Sequence, residues 1–320
     1  LLLAATGSVL LLARLWELRR RATAPSLHFD LALAACSLQP AALGLAAAVA
    51  AFDAPDRLRA VAVVGSWWIV LPVFVVAVHR MLPFFESDPP DRLTRRWPQA
   101  TLGLALAAAA VQGAAAAVAA LSATVVPATR PGWAGPVALQ VSLAAVALPS
   151  LGAILAAALA LLSVQRAWHW GRHRVRRAPM LAMLHRAWLW WTLAWAGLAL
   201  AQWPALDPAW RARLDDAALH ALTIGFLGGT MLAMVTRVSA TQAGRAAPFD
   251  RGARALERLL QGVVLARVGA ALLPVPPALL ALAALGWAAV AGAWLARHAA
   301  DLVHGPPATR RPERPSRHAP

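Results

Sequence analysis

Residues 99–123 read QATLGLALAAAAVQGAAAAVAALSA, twenty-five consecutive positions without a charged side chain. A helix rises about 1.5 Å per residue, so this stretch reaches about 37 Å, enough to cross a hydrocarbon core of ~30 Å. It lacks the period-two alternation of a membrane strand, and its alanines and leucines are strong helix formers. Working outward in both directions, the same reading recurs over about 1–16, 31–52, 58–79, 137–164, 181–203, 217–236, 257–274 and 277–296. The expectation is an all-α polytopic membrane helix bundle of about nine transmembrane helices. Residues 1–300 form a single transmembrane helix-bundle domain, and 301–320 form a disordered cytoplasmic tail rich in arginine and proline. Pro149 and Gly152 predict a kink in the fifth span.

Composition agrees. Of 320 residues, 60% are hydrophobic and only 14% charged, with a mean hydropathy of +0.59. A soluble domain carries about 45–50% apolar and about 25% charged residues, so a water-soluble enzyme is disfavoured. The single cysteine, Cys36, excludes an intrachain disulfide, a CxxC zinc pair, a cysteine-held iron–sulfur cluster and a CxxCH haem attachment.

The net charge of +16 comes from 30 basic residues, all arginine. Twenty-three of them fall in alternate connections and the tail, five in the intervening connections, and Arg186 and Arg267 within spans. That asymmetry is the positive-inside pattern, so the arginine-rich side and the C-terminus are expected in the cytoplasm. The basic charge then reports topology and contact with anionic lipid, and no nucleic-acid partner is expected. Nine spans put the N-terminus outside. Because Leu1-Leu2-Leu3 already lies within a span, an odd number of upstream helices is expected.

Ionisable residues inside a bilayer are functional candidates by default. Of nine histidines, His28, His169, His173, His298, His304 and His318 are read into cytoplasmic loops or the tail. His79 closes the third span, His185 begins the sixth and His220 opens the seventh. Thr223 shares the His220 face, and Gly225, Gly228 and Gly229 strip side chains from the helix beyond. Such a surface either receives a neighbouring helix closely or admits a flat cofactor. His185, Trp188, Thr192 and Trp195 fall on one helical face, which is either an interfacial tryptophan belt or a wall for a ring-shaped ligand. Neutral imidazole suits both haem iron and copper. Met231 and Met234 read as packing, and Asp215 and Asp216 as cap and dipole partners of the seventh span. No phosphate loop, and no hydrolytic or transferase arrangement, is present in the sequence.

At Val78-His79-Arg80-Met81-Leu82-Pro83-Phe84-Phe85, and again from His220 through Thr223, Gly225, Met234, Thr236 and Arg237 to Gly244-Arg245, the chain resembles the NnrS family. The stretch from Trp168 to Trp191, with Met183-Leu184-His185, is similar too. The resemblance implies a multi-pass protein of the bacterial inner (cytoplasmic) membrane with non-covalent b-type haem and copper. It implies nitric oxide as a ligand and a role in nitrosative-stress resistance and denitrification. It makes His220, His79 and His185 the expected metal and cofactor ligands, with His79 and His185 approaching each other. The family is usually read as twelve spans, of which this chain resembles the last nine. The first three would carry an H-x-H-E type cluster. Gln242 stands where the family commonly has histidine. The alternative reading is a multi-span transporter or channel without metal, although no internal repeat supports it.

Overall fold

The computed structural model describes residues 1–22, 26–51, 55–81, 98–125, 135–173, 179–242 and 249–304. Among them every regular element is helical. The helices are α1 (Leu2–Arg21), α2 (Leu27–Ser37), α3 (Gln39–Ala51), α4 (Pro55–Gly65), α5 (Leu71–Met81), α6 (Pro98–Val125), α7 (Gly135–His173), α8 (Pro179–Ala201), α9 (Pro208–His220), α10 (Gly229–Gln242), α11 (Arg251–Leu272) and α12 (Pro277–His304). Wide π-helical segments, Ser66–Val70 and Ala221–Gly228, fuse α4 to α5 and α9 to α10. With α2 and α3 counted together, the described residues form nine rods, one for each expected span.

Six of these are long and apolar enough to cross a membrane: Leu27–Ala51, Pro55–Arg80, Gln99–Ser122, Leu143–Trp168, Pro208–Thr241 and Pro277–Ala299. The chain is a multi-pass membrane protein. The other three, α1, α8 and α11, have spanning lengths of 20, 23 and 22 residues but more polar content. Exposed apolar side chains such as Val146, Ile154, Leu161 and Leu285 are what a lipid-facing surface requires. A helix satisfies its own backbone in hydrocarbon, which is why these runs fold as they do. Pro149 is accommodated inside α7.

Side chains set the rod ends. The Ser26 hydroxyl accepts from the backbone N–H of Phe29 and starts α2. Asp207 accepts from the N–H groups of Ala209 and Trp210, with Pro208 in the first turn of α9. Asp250 accepts from Ala253 and starts α11.

The helices gather into two compact units, Leu1–Leu159 with Gln202–Leu206, and Ala160–Ala201 with Asp207–Pro320. In the first, α1 packs on α3, α2 on α5, and α4 and α5 on α6. In the second, α9 lies between α8 and α11, and α11 packs along α12. Of the tail expected over 301–320, residues 301–304 continue α12, and 305–320 lie outside the described residues, as do the Pro83-Phe84-Phe85 motif and Gly244-Arg245.

Candidate metal and cofactor sites

In the first unit the capping hydroxyl of Ser26 fixes the start of α2 and sets His28 in its first turn. Asp30, in the same turn, holds Arg19 of α1 as an ion pair. His79 sits in the last turn of α5. The packing of α2 on α5 brings the two imidazoles together: His28 Nε2 lies 3.0 Å from His79 Nδ1, and the rings stack at 5.3 Å between centroids and 24°. One nitrogen donates and the other accepts, so one proton lies between them. Both rings are half-buried. Arg80 reaches the Ser26 hydroxyl at 3.5 Å. His28 was read into a loop; the structure places it in α2, because the helix starts at its serine cap, several residues before residue 31.

In the second unit His185 stands on α8, with Nε2 3.0 Å from the carbonyl oxygen of Ala167. A carbonyl only accepts, so the proton of a neutral His185 sits on Nε2 and its lone pair on Nδ1. The remaining residues of its face pack against protein. Trp188 donates to the Ser163 carbonyl at 3.1 Å, and Trp191 donates to the Ser163 hydroxyl at 3.0 Å. Phe226 contacts both rings, 6.3 Å from Trp188 and 4.6 Å from Trp191 between centroids. Trp195 is fully buried 5.4 Å from Trp191. The expected wall for a ring-shaped ligand is thus faced by the protein's own rings. His79 and His185 belong to different units, and each has a close partner within its own.

His220 ends α9 and directly precedes the wide segment Ala221–Gly228. Its Nε2 lies 2.6 Å from the Arg267 guanidinium and 3.6 Å from Asp216 Oδ1. Thr223 is satisfied along its own rod by the Leu219 carbonyl. The glycine surface is filled by neighbouring helices. A Cβ on Gly225 would stand 2.5 Å from Trp190, one on Gly228 would stand 2.9 Å from Trp287, and one on Gly229 would stand 3.1 Å from the Ala187 side chain. Of the two readings left open by the sequence, close helix approach is the one observed.

Both arginines expected within spans are partnered. Arg186 donates to Glu257 at 2.5 Å, and that carboxylate side chain is only 4% exposed. Arg267 donates to His220. Beyond the rods, Asp250 is held below the usual carboxylate range, first by its hydrogen bond from Arg297 and then by the N–H of Ala253.

The sequence reading missed a second imidazole besides His28. His298, read as part of a solvated loop or tail, is 2% exposed inside α12 and lies tilted, at 5.0 Å between centroids, against Trp294, whose indole donates to the Thr236 hydroxyl. A signal was present, since Ala283, Val290 and His298 fall on one face at spacings of seven and eight, and all three are buried. The side chains of His169, His173, His304, His318 and Gln242 lie outside the described residues. Among the described residues no cluster of three or more His, Cys, Asp or Glu side chains could hold a metal ion.

The family model described as NnrS protein matches residues 1–304. No curated protein and no solved structure gives a significant match.

Proposed function

The chain belongs to the NnrS family, and on that premise we propose that it is a haem- and copper-binding membrane protein of the bacterial inner membrane, acting in resistance to nitric oxide. The observation that carries the reading is the His28–His79 pair, two imidazole nitrogens facing each other across 3.0 Å on adjacent helices. The two imidazoles would hold a first-row metal ion through these facing nitrogens. Imidazole pairs suit copper, and the half-buried position limits competition from water.

His220 and His185 are proposed as ligands at separate positions, because Gly225 and Gly229, which follow His220, already lie against Trp190 and Ala187 of α8, between the two histidines. His220 offers Nε2 and His185 offers Nδ1, because the Ala167 carbonyl keeps the other nitrogen of His185 protonated. The glycine face beside His220 is closed by Trp190 and Trp287, so a haem held through His220 would lie off that face. Haem or copper, when bound, supplies the redox-active centre that holds nitric oxide. The residues' own part is to fix tautomers and exclude water. The Ser26 cap and the Arg19–Asp30 pair anchor the start of α2, and with it the His28 ring. Ser163 of α7 anchors the two indoles that follow His185 on α8. The C-terminus is proposed to be cytoplasmic, on the arginine asymmetry.

The test is metal analysis and visible and paramagnetic-resonance spectroscopy of the purified chain, with and without nitric oxide. The expected results are a Soret band, bound copper, and copper content at least halved in both His28→Ala and His79→Ala. A protein with neither a Soret band nor copper after loading would return the reading to a metal-free transporter or channel.

A further inference from the structure

We infer that Arg267 is the positioning residue of His220, holding in the metal-free protein the nitrogen lone pair through which that histidine binds a ligand. A guanidinium has N–H groups and no acceptor. Its contact of 2.6 Å with His220 Nε2 therefore makes Nε2 the acceptor and leaves the ring proton on Nδ1. That is the tautomer a metal ion or other electrophile requires at Nε2, and the cation already at the lone pair stands where the electrophile would stand. Arg267 lies in the transmembrane rod α11, five residues before its end, where an unpartnered charge is costly. Among the described residues it forms no ion pair, and its partner is the His220 imidazole. Asp216 completes the arrangement, one turn before His220 in α9 and 3.6 Å from the same nitrogen. When a ligand takes Nε2, the guanidinium moves toward this carboxylate, and its charge stays compensated.

The geometry thus has two states: Arg267 on His220, and Arg267 on Asp216 with His220 released. The wide segment that begins immediately after His220 gives the ring a locally loosened backbone, which is where such segments recur at functional sites. The tautomer claim stands on the hydrogen bond alone. Only its consequence for metal uptake rests on the reading of His220 as a ligand.

The test uses the purified chain, metal-free, as wild type, Arg267→Lys and Arg267→Met. Nitrogen-15 spectra should show one His220 tautomer, protonated at Nδ1, in the wild type and in Arg267→Lys, whose ammonium also donates. Arg267→Met should show a mixture. Carbethoxylation by diethyl pyrocarbonate, located by peptide mass spectrometry, should be about tenfold faster at His220 in Arg267→Met, the factor expected for loss of a charge-assisted hydrogen bond. His185, whose Nε2 is held by Ala167, should react equally in all three and serves as the internal reference. Cuprous ion supplied from a chelator should also load faster into Arg267→Met. Identical tautomers and identical carbethoxylation rates in the wild type and Arg267→Met would overturn the proposal. Full metal retention in His220→Ala would overturn the ligand reading instead, leaving the Arg267 result to be judged on the metal-free readouts.

Discussion

The two units treat a histidine in opposite ways. In the first, His79 meets a second imidazole, a neutral partner that can also ligate. In the second, His220 meets a guanidinium, a cation that can only donate. The first arrangement concentrates nitrogen donors and keeps its described ion pairs, Arg14–Glu17, Arg21–Glu17 and Arg19–Asp30, partly exposed on and beside α1. The second buries charge and offsets it locally, at Arg186–Glu257 and at Arg267–His220. Metal-binding capacity and internal charge are therefore different assets, placed on different helices of one chain.

The sharpest way to break this contrast is to remove one arginine from each unit. Arg186→Ala should leave the buried Glu257 carboxylate unpartnered and destabilise the protein by about 3–5 kcal/mol. Arg19→Ala should cost no more than about 1 kcal/mol, because its pair is largely solvated. Unfolding in detergent micelles, followed by tryptophan fluorescence, measures both. Equal losses would mean that the units do not differ in how they hold charge.

A second comparison uses glycines. Gly225→Ala pushes a Cβ to within 2.5 Å of the Trp190 ring, and overpacking of this kind should cost about 1–3 kcal/mol. Gly44→Ala, in α3 with nothing within 4 Å of its Cβ, should stabilise by about 0.5–1 kcal/mol through helix propensity. The same unfolding assay reads both, and a stabilising Gly225→Ala would show that the Trp190 contact is loose.

Smaller still, His28→Phe in the metal-free protein should cost about 1 kcal/mol, the worth of one neutral hydrogen bond with ring stacking retained. It should cost more once copper is bound, because a ligand adds stability to the folded state alone. Equal losses with and without copper would detach the pair from metal binding.

The smallest effect is a pH dependence at Asp250. Its carboxyl is held below the usual range by Arg297, so its contribution is present above the unfolded-state value of about 3.9. It is lost as pH falls through the lower folded-state value. Asp250→Asn should flatten the acid limb of a stability-against-pH curve. An unchanged limb would assign that acid sensitivity elsewhere.

How far the sequence could be read depended on the kind of signal. Nine rods were legible because uninterrupted apolar length is a one-dimensional property, as residues 99–123 show. His28 and His298 were not. Loop assignment by charge counting moved the start of α2 past its Ser26 cap, and it overlooked the buried stripe of α12. The partners of Arg186 and Arg267 lie 71 and 47 residues from them in sequence, and no local pattern encodes such pairs. The glycines after His220 allowed two readings because the sequence shows a missing side chain but not what fills the gap. Trp190 and Trp287 fill it from other helices.

The wide segment Ala221–Gly228 carries one further consequence, in the currency of rotation. An α-helix advances about 100° per residue, so a rod that accommodates an extra residue through i→i+5 bonding turns everything after it by that angle. Were the bulge to rewind as ordinary α-helix with every residue retained, α10 would rotate by about 100° against its neighbours. The Thr236 hydroxyl would then face away from the Trp294 indole that it now accepts from at 3.0 Å, and the buried His298 ring would lose its anchored aromatic neighbour. Deleting one residue such as Ile224 would instead let the rod rewind with α10 kept in its present setting, so the widening is what holds a distant imidazole in place despite the extra residue.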